Sequence, residues 1–224
     1  MRSGRRIAAV LALGASATLV CGGIAAADVR TDSTVDWNAV FPIAAEVNPV
    51  VTETVATLPS PVAVGAGGVN VPITVTDTLP WQCSSMFWQV SENQDVQTTN
   101  AIVIQGTETV TVTTTDSAGR QASQSAALSI APTLVALTNG SGWAPTTFAA
   151  QGTLALPPIP DAGPALVSVS AVSLTLDPIA PDGGATFFTE HPQLLADIPL
   201  RLDPTGPSQN PANSTILGTV DVTS

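Results

Sequence analysis

The run Ala101–Thr115, AIVIQGTETVTVTTT, decides how the rest of the chain is read. Its residues are β-branched almost throughout, which suits a pleated surface better than a helix. Gly106 interrupts it, the sign of a bulge or bend. The next residues, TDSAGRQ at 115–121, have the chemistry of a turn and lead into ASQSAALSI at 122–130, so the two runs read as a hairpin. VTVTTT and the later VSVSAVSLTL are poor in charge and would aggregate as exposed edges, so both are expected to be central strands.

Working outward, the same period of two recurs. In VNVPITV, Val69, Val71, Ile73 and Val75 face one way and Asn70, Pro72 and Thr74 the other. Pro72 lacks an N–H, which places it at an edge or a bulge. Val50–Leu58, Leu166–Leu176 and Thr215–Val222 are further strands, and Asp182-Gly183-Gly184 is a turn before ATFF. Prolines recur too often for long helices, and Cys83–Val90 is the best helical candidate. No period suggests a propeller or β-helix. Many strands with little helix predict an all-β, immunoglobulin-like antiparallel two-sheet sandwich occupying residues 35–224 as one domain.

The N-terminus reads as a signal peptide over residues 1–27. Arg2, Arg5 and Arg6 precede the apolar Ile7–Val20, and Ala25-Ala26-Ala27 is a cleavage site with the cut after Ala27. Arg5-Arg6 hints at a twin-arginine route, but the rest of that signal is missing, which favours the general secretory route. Cys21 competes as a lipid attachment point, but Val20 is not the small residue that such a signal requires. Residues 28–34 are polar and expected to be disordered. No later run is long and apolar enough to span a bilayer.

Cleavage leaves Arg30, Arg120 and Arg201 against all 17 acidic side chains, with no lysine anywhere. Such a chain repels nucleic acid and anionic lipid, so neither is an expected partner. The Ala, Val, Thr and Pro bias suggests a high-GC genome of actinobacterial type. Cys83 is then the only cysteine, so a disulfide within the mature chain is impossible and only an intermolecular one stays open.

Candidate chemistry is sparse. Cys83 lies in WQCSSMFW, 81–88, among apolar neighbours that disfavour thiolate, and reads as an inert buried thiol that packs into the sandwich or caps one end of it, rather than as a nucleophile. The lone histidine, His191, sits in a loop reading TEHPQ and lacks the companions of a metal site. Asp177 and Asp182, in DPIAPDGG, are a carboxylate pair of the sort a secreted hydrolase uses, although Asp-Pro and Asp-Gly are turn formers first. NGSGW at 139–143 lacks nucleophile-elbow spacing. Of Trp37, Trp81, Trp88 and Trp143, the last is in a glycine-flanked loop and is the expected exposed ring. No catalytic, metal or cofactor residues are assigned.

Four segments together resemble a secreted actinobacterial β-sandwich domain family of unknown function. They are FPI at 41–43, VQTTNAIVIQGTETVTVTTTDSAG at 96–119, GSGWAPTTFAAQG at 140–152, and IPLRLDPTGPSQNPANSTILGTVDV at 198–222. The resemblance implies a sandwich and brings no catalytic residues. That family carries a cysteine before the Phe-Pro and another before the Leu-Asp-Pro, and these can pair. Here the matching positions are Ala39 and Leu200. The expectation is an exported, non-catalytic interaction module whose partner is a protein or a cell-envelope glycan. The alternatives are a carbohydrate-binding module using exposed tryptophan and a secreted hydrolase using the carboxylate pair.

Overall fold

The computed structural model describes residues 28–42, 47–66, 68–202 and 214–224; the expected signal peptide lies outside them. The strands are β1 (Val29–Val40), β2 (Val47–Leu58), β3 (Val62–Ala63), β4 (Val69–Leu79), β5 (Ala101–Thr115), β6 (Gln121–Ala136), β7 (Thr146–Leu156), β8 (Gly163–Leu176), β9 (Ile198–Arg201) and β10 (Ile216–Thr223). The helices are α1 (Trp81–Val90), α2 (Gln94–Thr99) and α3 (Phe187–Glu190), with a 3-10 turn at Pro192–Leu194. β5 has the expected bounds. It forms the expected hairpin with β6 around a turn in which Asp116 accepts from the backbone N–H groups of Ala118 and Arg120. The register against β6 slips between Ile104 and Gly106, at the expected bulge. A Cβ on Gly106 would lie 2.1 Å from the Thr175 carbonyl oxygen, so only glycine lets β5 and β8 approach there.

Strand accounts for 59% of the structure and helix for 13%, in keeping with an all-β chain, but the two-sheet sandwich is wrong. Eight strands run in the order β8-β5-β6-β7-β4-β2-β1-β9, and β9 pairs again with β8, closing a barrel. A sandwich leaves edges open, whereas this sheet closes on itself. β10 lies on the same side of β8 as β9. β9 pairs Leu200 with Val172 and Ile198 with Leu174, while β10 takes the other end of β8, from Ile216 opposite Ser168 to Val222 opposite Gly163. The closing strand is therefore in two pieces.

Ladder pairing is uneven around the barrel. β1–β2, β4–β7, β5–β6 and β5–β8 are long ladders. By contrast, β6 meets β7 in register only at Ser129–Gln151 and Ile130–Ala150. β1 meets β9 at Asn38–Arg201 and Ala39–Leu200. These two short junctions divide the barrel into halves, β7-β4-β2-β1 and β6-β5-β8-β9. Ala39 and Leu200 were singled out above as the positions of the resembled family's cysteines. Both are buried, and they are direct partners across the closing junction.

Alternation sorts inside from outside. Val71, Ile73, Val75 and Leu79 of β4, Val110 and Val112 of β5, and Val167, Val169, Val172 and Leu174 of β8 are buried. The opposite face of β5 presents Thr109, Thr111 and Thr113; Thr111 and Thr113 bond to Ser125 and Ser123 of β6 at 2.8 Å. Hydroxyls on the outer face of β5 and buried aliphatics beneath them are the reverse of a lipid-facing barrel. No helix among the described residues is long and apolar enough to cross a membrane. β5 and β8 are interior members of the sheet, as their low charge requires. Pro72 pairs with Thr153 of β7, while the β2 ladder stops at Ile73, so its missing N–H falls at a locally unpaired edge.

One boundary also needs correcting. Residues 29–34, expected to be disordered, are the first half of β1, because Val29–Thr34 pair along β2 from Leu58 to Glu53. Polarity misled here, since an outward-facing strand position needs no apolar residue.

Candidate functional site

The β4–β5, β6–β7 and β8–β9 connections all emerge at one end of the barrel, and α1, α2 and α3 lie in two of them. Pro80 starts α1, where its fixed φ and missing N–H suit a helix entrance. The inward side of α1 carries Cys83, Ser84 and Phe87. Phe87 meets Phe188 of α3 edge to face at 5.7 Å, and Ser84 bonds to the Thr146 hydroxyl at 2.6 Å. The stretch WQCSSMFW is thus a helical cap sealed by aromatic packing. Cys83 is buried, and desolvation pushes its thiol up to about 12, far from the range of a nucleophilic thiolate.

The tryptophans flank that inward side, Trp88 packing in part against the core. Trp81 is 50% exposed. Trp88, two helical turns on, packs against Trp143 of the β6–β7 connection with ring centroids 5.6 Å apart, and its indole N–H donates to Asn100 Oδ1 at 3.1 Å. Gln89 donates to Ser85 at 2.8 Å on the same helix. Asn139, in the loop with Trp143, accepts from the Ser141 hydroxyl at 3.1 Å. Trp88 and Trp143 thus form an aromatic pair fringed by amides and hydroxyls, with the exposed Trp81 on the same helix forming the rest of the rim. Trp143, expected to be the exposed ring, is half-buried against Trp88, and Trp81 is the exposed one. Trp37 faces the barrel interior at 2% exposure.

The remaining sequence candidates have local partners. His191 ends α3, where its ring stacks on Phe187 at 4.2 Å. Asp177 accepts from Gln105 Nε2 at 2.8 Å, across from β5. Asp182 accepts from the Gly184 N–H at 2.8 Å, closing its own turn. These bonds give the two carboxylates separate roles and do not join them into a pair.

A different pair of acids meets inside the barrel. Asp77 of β4 and Glu108 of β5 are both fully buried. Thr52, opposite Asp77 on β2, donates to Asp77 Oδ1 at 2.6 Å. Asp77 Oδ2 and both Glu108 oxygens are buried with no hydrogen-bond donor in the protein, and the two carboxyls lie near enough to perturb each other. Burial pushes Asp77 up to about 6, with the Thr52 hydrogen bond opposing it. Burial pushes Glu108 up further, to about 10, and the neighbouring Asp77 adds to the rise. Both shifts favour a proton kept on the pair as a whole. Sealed from solvent, the pair can exchange protons but cannot touch a substrate. Its signal was present in the sequence: Asp77 and Glu108 each occupy the apolar register of an alternating strand, after Val71, Ile73 and Val75 in one case and before Val110 and Val112 in the other.

No protein-family model, curated protein or solved structure matches the chain.

Proposed function

We propose that this chain is an exported, non-catalytic interaction module that holds a neutral glycan of the cell envelope against its tryptophan rim. The observation that carries the reading is the half-exposed Trp81 on the same helical face as Trp88, which leans on Trp143. Seven residues on a helix put Trp81 and Trp88 about 10 Å apart along the axis, a separation on the scale of two sugar rings. The tryptophans' amide and hydroxyl neighbours offer hydrogen bonds to sugar hydroxyls. Export rests on the Arg, apolar and Ala-Ala-Ala order of residues 1–27.

The test is affinity electrophoresis of the native chain in gels containing neutral polysaccharides such as mannan, arabinogalactan and β-glucan. Retardation by at least one polymer is expected. Trp81→Ala should abolish it while keeping the chain folded, because half of the ring is already in solvent. Equal mobility of wild type and Trp81→Ala in every gel would remove the glycan reading.

A further inference from the structure

We propose that Asp77 and Glu108 form a proton-operated latch between the two halves of the barrel, closed while the pair holds a proton and released when that proton is lost. The argument is geometric. Asp77 belongs to the half β7-β4-β2-β1 and Glu108 to the half β6-β5-β8-β9, so these two buried, donor-less carboxyls approach across the interior rather than along a ladder. Ladder pairing between the halves is limited to Ser129–Gln151 and Ile130–Ala150, and to Asn38–Arg201 and Ala39–Leu200, although β6 and β7 also pack side by side where Gly152 lies against Leu128. Along the rest of β1, the neighbouring β10 approaches through side chains: Ser33 donates to the Ser214 carbonyl, and Gly218 is pressed against Thr31 and Leu58.

The surroundings leave the pair no other means of compensating charge. Asp77 faces Thr52 on β2 and Phe148 on β7; Glu108 faces Leu128 on β6 and Leu174 on β8. Beyond these stand Val35 of β1 and Ile198 of β9. Among the described residues, no inward-facing strand position carries a third titratable or charged group. One proton between the carboxyls makes a charge-assisted hydrogen bond, which is short and strong in a dry interior. Its loss sets two negative charges face to face with no counter-charge, and both then require water. Water enters by parting the halves where ladder bonds are fewest. The proton leaves to solvent and no co-reactant is needed.

The test is hydrogen exchange of the intact chain from pH 6 to 9, followed residue by residue and divided by the intrinsic exchange rate. If opening releases one proton, corrected exchange at Ile130, Ala150, Ala39 and Leu200 should quicken by about tenfold per pH unit. Amides inside one half, such as Thr109 and Ala127 of the β5–β6 hairpin, should show no such slope. Glu108→Gln, which keeps a donor to Asp77 but no ionisable proton, should flatten the junction slope. Glu108→Met serves the same purpose with an apolar chain of similar length. A flat wild-type profile, a slope that persists in both variants, or equal slopes in every strand would each overturn the latch.

Discussion

The closing junction can be tested by covalent capture. Ala39 and Leu200 are direct partners in the β1–β9 register, and both side chains are buried. Opposed residues in an antiparallel pair have Cα atoms about 4.5–5.5 Å apart, within the range that a disulfide bridges. The double variant Ala39→Cys/Leu200→Cys should therefore oxidise without backbone movement. Two effects set its stability. Truncating Leu200 in a packed interior costs about 2–3 kcal/mol, seen alone in the reduced form. Cross-linking a loop of about 160 residues removes chain entropy equivalent to about 5 kcal/mol in the limiting model. The oxidised form should thus exceed the reduced form by up to about 5 kcal/mol and wild type by about 2–3 kcal/mol. Guanidinium unfolding of the oxidised, reduced and wild-type chains measures all three, with peptide mapping to show that Cys83 stays out of the bridge. Failure to oxidise in air, or an oxidised form no more stable than the reduced one, would refute the register and with it the closure of the barrel at this point.

Gly106→Ala should cost about 3–4 kcal/mol, combining a left-handed φ with a clash against the Thr175 carbonyl, whereas Gly119→Ala, with positive φ but open space, should cost about 1 kcal/mol; parallel urea titrations decide, and equal costs would show that the bulge tolerates a side chain. Cys83 should react with a thiol reagent slowly in the native chain at pH 7 and rapidly in denaturant, because burial holds the thiol protonated; rapid native labelling would contradict the helical cap. Both interior carboxyls are raised, so the folded chain holds more protons than the unfolded one. Their contribution to stability should be intact below pH about 4 and fall as pH rises through 6 toward 10. Melting curves across that window should show the decline, and the Glu108→Gln chain should lose most of it. Mass analysis of the exported chain should find an N-terminus at Asp28, within a few residues, and a lipid on Cys21 with retention at the cell would refute the assigned cleavage.

Much of the secondary structure was legible in the sequence because it is dictated locally. β-branching and a period of two marked β4, β5 and β8, turn chemistry at 115–121 joined β5 to β6, and the glycine in AIVIQG marked a bulge that the register slip at Gly106 displays. The one helical candidate, Cys83–Val90, matched α1 to within two residues of its observed start. Burial of Cys83 followed from its neighbours alone. The tryptophan rim was half legible: an aromatic surface was anticipated, but its exposed member was misassigned. Whether Trp143 stands free depends on Trp88 of α1 packing against it.

What only the tertiary structure decided was which strands meet. Alternating faces describe a sandwich and a barrel equally well, since both bury one side of every strand. The difference lies in the edges, and the edge of β8 is satisfied by a four-residue strand, β9, too short to announce itself by period. The same holds for the acid pair. Asp77 and Glu108 could each be recognised as acids in an apolar register, but their meeting depends on β7 and β6 lying between β4 and β5 and on curvature that turns both carboxyls toward one interior. Local sequence sets the conformation of a strand; long-range pairing sets its neighbours, and here those neighbours created both the closed barrel and the chemistry buried within it.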